Sequence, residues 1–281
     1  GTNHQYMLFF TQKGKCFWMR VYEIPEGSKT SKGRAIQNLI NIEQDDKVKA
    51  FINTQDLKDS DYINSHYVIM ATKKGQVVKT SLEKYSRPRA NGINAINIKD
   101  DDELLEAKLT TGNSQIMLAV KSGKAIRFEE DKTRPLGRGA SGVRGIKLKN
   151  QLDEVIGMVS VSDVNSDILV VSENGFGKRS SLDDYRITNR GGKGVKTISI
   201  TEKTGNLVAL KNVSDDDDLM IIKKSGVAIR MSVSDLRVMG RATQGVKLVK
   251  IKEEGAIAAV AKVMKDQDED DKINQEETKE E

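Results

Sequence analysis

Cysteine and histidine are nearly absent from this chain. Cys16 is the sole cysteine, and His4 and His66 are the only histidines in 281 residues. One thiol closes no internal disulfide, so a reducing compartment is the natural reading and the cytoplasm the expected location. A structural zinc site takes four Cys or His ligands and only three exist, so no metal is expected. Ser–His or Cys–His catalysis would have to recruit one of two histidines, each standing just before an apolar strand-like run. The longest apolar runs, such as Tyr6–Phe10 and Leu219–Ile222, fall far short of a membrane span. No charged leader with an apolar segment and cleavage site is present, so neither secretion nor membrane association is expected. A phosphate loop of the form GxxxxGK followed by Ser or Thr is missing, which argues against ATP. Gly137–Gly142 does spell the dinucleotide fingerprint, but an alternating strand follows it where a helix is required. No cofactor is expected.

Charge is present in quantity and is unevenly distributed. The chain holds 46 Lys+Arg against 41 Asp+Glu, a net of +5. Residues 266–281 contain nine acids and two lysines, a net of −7, which leaves +12 on residues 1–265. The tail has the composition of a disordered segment, and its tethered charge is suited to compete with nucleic acid for a basic surface.

The body repeats itself. Five segments each run from apolar residues into a turn glycine: Tyr6 to Gly14, Tyr67 to Gly75, Gln115 to Gly123, Asp167 to Gly175 and Asp218 to Gly226. The turn glycines are 61, 48, 52 and 51 residues apart, and a second glycine follows each at an offset of 17 or 19: Gly33, Gly92, Gly142, Gly194 and Gly245. Alternating runs begin at Ile93, Val143, Val195 and Val246, with apolar side chains on one face and polar ones on the other. A last apolar stretch closes each repeat, at Val48–Ile52, Leu104–Leu109, Val155–Val161, Leu207–Val213 and Ile257–Val263. Four short strands per repeat of about fifty residues match a propeller-like array of four-stranded blades. The fold class is therefore all-β, with one pinwheel domain over residues 1–265 and a tail over 266–281. The expected blades are about 4–60, 61–112, 113–164, 165–215 and 216–265. Helical signals are weak, and the acids and leucines of Asp101–Lys108 are read as a strand.

Basic residues keep the register of the repeat. Four positions after the turn glycine stand Lys79, Arg127, Arg179 and Arg230, with Trp18 in the first repeat. Four positions before the second glycine stand Lys29, Arg138, Arg190 and Arg241, and in the second repeat Arg87 and Arg89 flank Pro88. Lys32, Arg34, Arg144 and Lys178 extend the set. Solvated lysines decorate any β protein, but arginine in register suits phosphate, which its planar fork grips with two donors. Adjacent glycines let backbone N–H groups approach an anion closely. Thr188–Gly194, with Arg190, Gly191, Gly192, Lys193 and Gly194, is the densest such turn.

These residues carry a resemblance. Gly175–Arg179, Gly142–Ile146, Val238–Val246 and Val21–Pro25 with Lys32–Arg34 are similar to stretches of the C-terminal domain of the DNA gyrase A subunit, over residues 4 to about 264. Arg190–Gly194 resembles the last five positions of that family's glycine-rich box, while Thr188 and Asn189 depart from the first two. The family's full box lies in a first blade, and six blades are usual where five are visible here. The expectation is that a sixth blade lies upstream of residue 1.

The resemblance implies a non-catalytic domain that wraps duplex DNA on its rim and so favours negative supercoils. Its DNA-binding residues would be the basic and glycine positions above. The cleaving tyrosine and the ATPase would belong to other domains. The implied partners are duplex DNA and, in an A2B2 holoenzyme, the gyrase B subunit together with the rest of the gyrase A subunit; the isolated domain is expected to be monomeric. Two alternatives stay open: the related domain of the topoisomerase IV A subunit, and a protein-interaction β-propeller. The first is favoured by the blade count, while the second leaves the basic register unexplained.

Overall fold

The computed structural model describes residues 5–25, 35–250 and 255–264. Lys29, Lys32, Arg34 and the acidic tail lie outside them. Each repeat opens on an antiparallel hairpin: Tyr6–Thr11 with Lys15–Arg20, Tyr67–Thr72 with Gln76–Ser81, Gln115–Val120 with Lys124–Glu129, Asp167–Ser172 with Phe176–Ser181, and Asp217–Lys223 with Ala228–Ser232. The glycine at each turn has φ between +81° and +87°, a region that costs residues with a Cβ dearly. The closing strand of each repeat pairs with the outer edge of its hairpin, in the order Val48–Asn53, Leu104–Thr110, Val155–Val161, Leu207–Val213 and Ile257–Met264. Asp101–Lys108 is accordingly strand from Leu104 on, as its sequence suggests.

The fourth strand departs from the sequence reading. Ile93–Asn94 pairs with Lys15–Arg20 of the preceding hairpin, not with its own. Val143–Arg144, Val195–Lys196 and Val246–Lys247 likewise join the preceding hairpins at Gln76–Val77, Lys124–Ala125 and Phe176–Gly177. Each alternating run thus contributes two residues of strand, and blades 1 to 4 each borrow their fourth strand from the next repeat. The approximate blade limits read from the sequence mark repeats of the chain, not sheets. Blade 5 has three strands, and among the described residues the outer edge of Ala228–Ser232 has no partner.

The second glycines make the exchange sterically possible. Gly142 has φ +83°, and a Cβ there would lie 2.5 Å from Val77 O of the accepting hairpin. Gly194 is pressed as closely onto Ala125 O. Packing explains why the inner strands are unbroken apolar runs rather than alternating ones. Val68 and Met70 of blade 2 face Leu8 and Phe10 of blade 1, while Ile69 and Ala71 face Ile116 and Leu118 of blade 3. A strand buried on both faces has no polar side to alternate with.

The 61-residue spacing of the first repeat is accounted for by a helix, Ser60–Ser65, inserted between blades 1 and 2. The Asp59 carboxylate caps it, accepting from Asp61 N at 2.9 Å and Tyr62 N at 3.2 Å. The chain divides into two compact units, residues 1–164 with 185–197, and 165–184 with 198–281. Blades 1 to 3 belong to the first, and blades 4 and 5 to the second.

Candidate nucleic-acid interface

The basic residues of the repeat separate into two groups with different surroundings. Lys79, Arg127 and Arg179 sit on the second hairpin strand and are only 4, 7 and 8% exposed. Each reaches the short 3-10 segment of the following repeat, Glu130–Lys132, Leu182–Asp184 or Val233–Asp235, or the residue just after it. Arg127 Nη1 donates to Tyr185 O at 2.9 Å, and its Nε to Gln115 Oε1 at 2.9 Å. Arg179 Nη1 donates to Val233 O at 3.3 Å while its Nε pairs with Asp167 at 2.5 Å. Lys79 Nζ meets the fully buried Glu130 carboxylate at 3.0 Å. Trp18 does the same work in blade 1: its Nε1 donates to Tyr85 O at 2.9 Å. The position that reads as basic is therefore a side-chain clasp between successive repeats. The backbone reinforces it, since Lys79 O, Arg127 O and Arg179 O accept from Leu136, Thr188 and Met239 N at 2.7 to 2.9 Å.

This geometry withdraws Lys79, Arg127 and Arg179 from direct phosphate contact. Burial and protein acceptors occupy the donors that a phosphate would need. Lys178 is withdrawn for the same reason: it is 1% exposed, and its ammonium donates to Gly240 O at 2.8 Å and to Thr243 O at 2.9 Å. Burial lowers Lys178 to about 8, with Arg241 pushing the same way and Asp184 opposing. Arg230 is exposed but ion-paired with Asp218 at 2.8 Å.

The second group lies on the loops that lead into the exchanged strands, with Arg144 in one of those strands. Arg87, Arg89, Arg138, Arg144 and Lys193 are exposed, and none has a carboxylate partner among the described residues. Arg190 is half-buried; its Nε donates to Lys132 O at 2.9 Å and its Nη1 to Arg144 O at 3.1 Å. In the other compact unit, half-buried Arg241 donates from Nε to Asp184 O at 2.9 Å. Carbonyls are neutral, so the two bonds of Arg190 fix its guanidinium without cancelling its charge.

The glycine-rich loop is zipped onto its predecessor by the backbone. Gly191 N donates to Gly145 O at 2.6 Å and Lys147 N to Gly192 O at 2.8 Å. Lys193 and Gly194 share a shallow recess with Arg186, Asn189 and Gly192. Arg138 and Arg89 line another with Lys15 and Asn91.

Three residues escape the sequence reading. Arg134, Arg186 and Arg237 are exposed, and each precedes Arg138, Arg190 or Arg241 by four positions. The signal was a second register offset, eleven after the turn glycine, in the last three repeats. The sequence also conceals a structural acid. Asp46, Asp102 and Asp153 accept from the hairpin-turn amides of Lys13, Lys74 and Ser122 at 2.9 to 3.1 Å. Cys16 is buried, which pushes its thiol up and keeps it protonated.

The family model described as "DNA gyrase C-terminal domain, beta-propeller" matches residues 5–55, 66–111, 115–162, 166–214 and 217–264. The chain belongs to the DNA gyrase C-terminal domain family. The five matched segments follow the five repeats. The DNA gyrase A subunit of Staphylococcus aureus (strain MRSA252) is 42% identical over 276 residues, covering 98% of this chain and 30% of that protein. Its counterpart in Staphylococcus epidermidis (strain ATCC 12228 / FDA PCI 1200) is 44% identical over 268 residues, covering 95% and 30%. This chain thus spans under a third of the length of these gyrase relatives. Among solved structures, a C-terminal domain of DNA topoisomerase IV matches with TM-score 0.83 and 25% identity, over 93% of this chain and 80% of that one. A DNA gyrase A C-terminal domain matches with TM-score 0.79 and 24% identity, over 94% and 84%. The all-β, propeller-like pinwheel expected from the repeats is the fold of these gyrase-family neighbours. Among the described residues no helix is long and apolar enough to cross a membrane.

Proposed function

We propose that this chain binds and bends duplex DNA as a non-catalytic domain of a bacterial gyrase A subunit, favouring negative supercoils. The carrying observation is the set of exposed basic side chains, without carboxylate partners among the described residues, that recurs around the loops feeding the exchanged strands. Arg87, Arg89, Arg134, Arg138, Arg144, Arg186 and Lys193 are the proposed phosphate contacts in one compact unit, with Arg190, Gly191, Gly192 and Gly194 shaping the loop. Arg237 and Arg241 serve in the other. Lys29, Lys32 and Arg34 stay in the proposed set on sequence register alone.

The energetics are of the right order. Bending some tens of base pairs costs on the order of 10 kcal/mol. About eight phosphate contacts with counterion release imply a log–log salt slope of roughly −7 and can offset that cost. Within this reading, strand cleavage and ATP hydrolysis belong to other parts of the holoenzyme, including the gyrase B subunit. The expected setting is the cytoplasm, where the acidic tail competes with DNA for the basic loops. The test is duplex binding measured across salt. A slope near −7 is expected, and a slope near zero would remove the electrostatic basis of the proposal.

The fold match to topoisomerase IV supports a second reading, in which the same surface binds DNA without imposing a wrap. The gyrase family model and the relatives above 40% identity favour the first. The two readings part on whether bound circles change linking number.

A further inference from the structure

The loop of the second repeat breaks the pattern of the three that follow it. It is two residues shorter, Gly75 and Gly92 being 17 apart where Gly123 and Gly142, Gly175 and Gly194, and Gly226 and Gly245 are 19 apart. No glycine stands between Gly75 and Gly92, and Pro88 sits between Arg87 and Arg89. The loops of the third and fourth repeats are tied by their backbone to the run before them: Gly139 N donates to Ala95 O at 3.3 Å, and Gly191 N to Gly145 O at 2.6 Å. Among the described residues the backbone of Arg87–Asn91 takes part in one bond outside its own strands, from Gly92 N to Arg89 O at 3.0 Å, which closes the loop's own turn. All five residues are exposed. Neither guanidinium has a hydrogen-bond or ion-pair partner among the described residues.

A loop with a proline and no glycine is a poor anion cradle, because its backbone brings few N–H groups close to a ligand. What it presents is a pair of guanidiniums with little backbone freedom, since Pro88 fixes its own φ and disfavours helix at Arg87. Asn91 adds a third donor. Its Oδ1 accepts from Asn41 Nδ2 at 3.0 Å, which orients the carboxamide and leaves its own Nδ2 without an acceptor among the described residues. Arg89 and Asn91 line one open recess with Asn94 and Arg138. Donors alone, with no acceptor offered, suit the minor groove at A·T pairs, whose floor shows only the acceptors A N3 and T O2. A narrow A·T-rich groove also concentrates negative potential, and guanidinium, less strongly hydrated than ammonium, enters it at lower desolvation cost.

We infer that the Arg87–Asn91 loop reads the minor groove of duplex DNA, with Arg87, Arg89 and Asn91 donating to its floor, and that it gives the chain a preference for a narrow, A·T-rich groove at that point. The inference rests on the duplex-DNA reading of this surface. For Arg87 and Arg89 it replaces a grip on phosphate with contact inside the groove, where their charge still displaces counterions.

The test uses the whole chain and two duplexes of equal length, one with a central A-tract and the other wholly G·C, titrated across the same salt series. The A-tract duplex should bind about fivefold tighter or more. Replacing both arginines together, Arg87→Lys with Arg89→Lys, keeps the charge, so the salt slope should be unchanged while the preference falls below about twofold. Equal binding of the two duplexes by the unmodified chain overturns the inference. A preference that survives in the double variant overturns the role of these arginines. A salt slope near zero on both duplexes would instead overturn the DNA reading itself, and the loop's role with it.

Discussion

At the scale of single residues, the same side chain does opposite work according to what surrounds it. Lys79 and Arg138 are both basic and both in register, yet Lys79 is sealed against Glu130 while Arg138 is exposed to solvent. Removing one partner of a buried pair leaves an uncompensated charge, so Lys79→Met should destabilise the domain by about 3–5 kcal/mol in urea unfolding. Its effect on the salt dependence of DNA binding should be negligible. The converse is expected of Arg134→Ala, Arg138→Ala and Arg186→Ala combined. Three lost phosphate contacts should flatten the salt slope by about 2.7 with the unfolding midpoint nearly unchanged. Lys178 supplies a pH test. Its folded value of about 8 lies below its ordinary 10.5, so the unfolded chain binds more protons between those limits. Stability should therefore rise with pH across that window relative to Lys178→Met, since deprotonation relieves the burial cost. A parallel pH course for both proteins would show that Lys178 is not the buried cation described here.

At the scale of elements, glycine and strand exchange together build the blades. The hairpins were legible because a tight turn followed by a basic-ended strand requires positive φ at a fixed place, and glycine marks it. The exchange was not legible, because an alternating run such as Val143–Leu148 reads the same whichever sheet receives it. Only the carbonyl beneath Gly142 distinguishes the two, and that contact is made across repeats. Gly142→Ala should cost at least about 2 kcal/mol through strained φ and the clash with Val77 O. A change under 0.5 kcal/mol would mean that the loop can enter blade 2 another way. The helix at Ser60–Ser65 is not legible in the sequence because six residues give too little periodicity, although Asp59 is a strong cap. Buried clasps were hidden for a related reason. An arginine that donates to a carbonyl and one that waits for phosphate occupy the same letter, and only burial separates them.

At the scale of the molecule, the mild net charge of +5 conceals a body of +12 and a tail of −7. Part of that body charge is spent internally: Lys79, Arg179 and Arg230 are paired with acids. Among the described residues, the exposed arginines other than Arg230 stand on or beside the loops that hand a strand from one repeat to the previous blade. Binding and architecture are thus coupled, since the loops that carry the arginines also complete the sheets. Wrapping is read most directly from DNA topology. Nicked circular DNA is ligated with this chain bound, and the linking number of the product is compared with a protein-free control. A shift toward positive linking number that grows with protein bound is the predicted result. An unchanged distribution at saturating protein would contradict it.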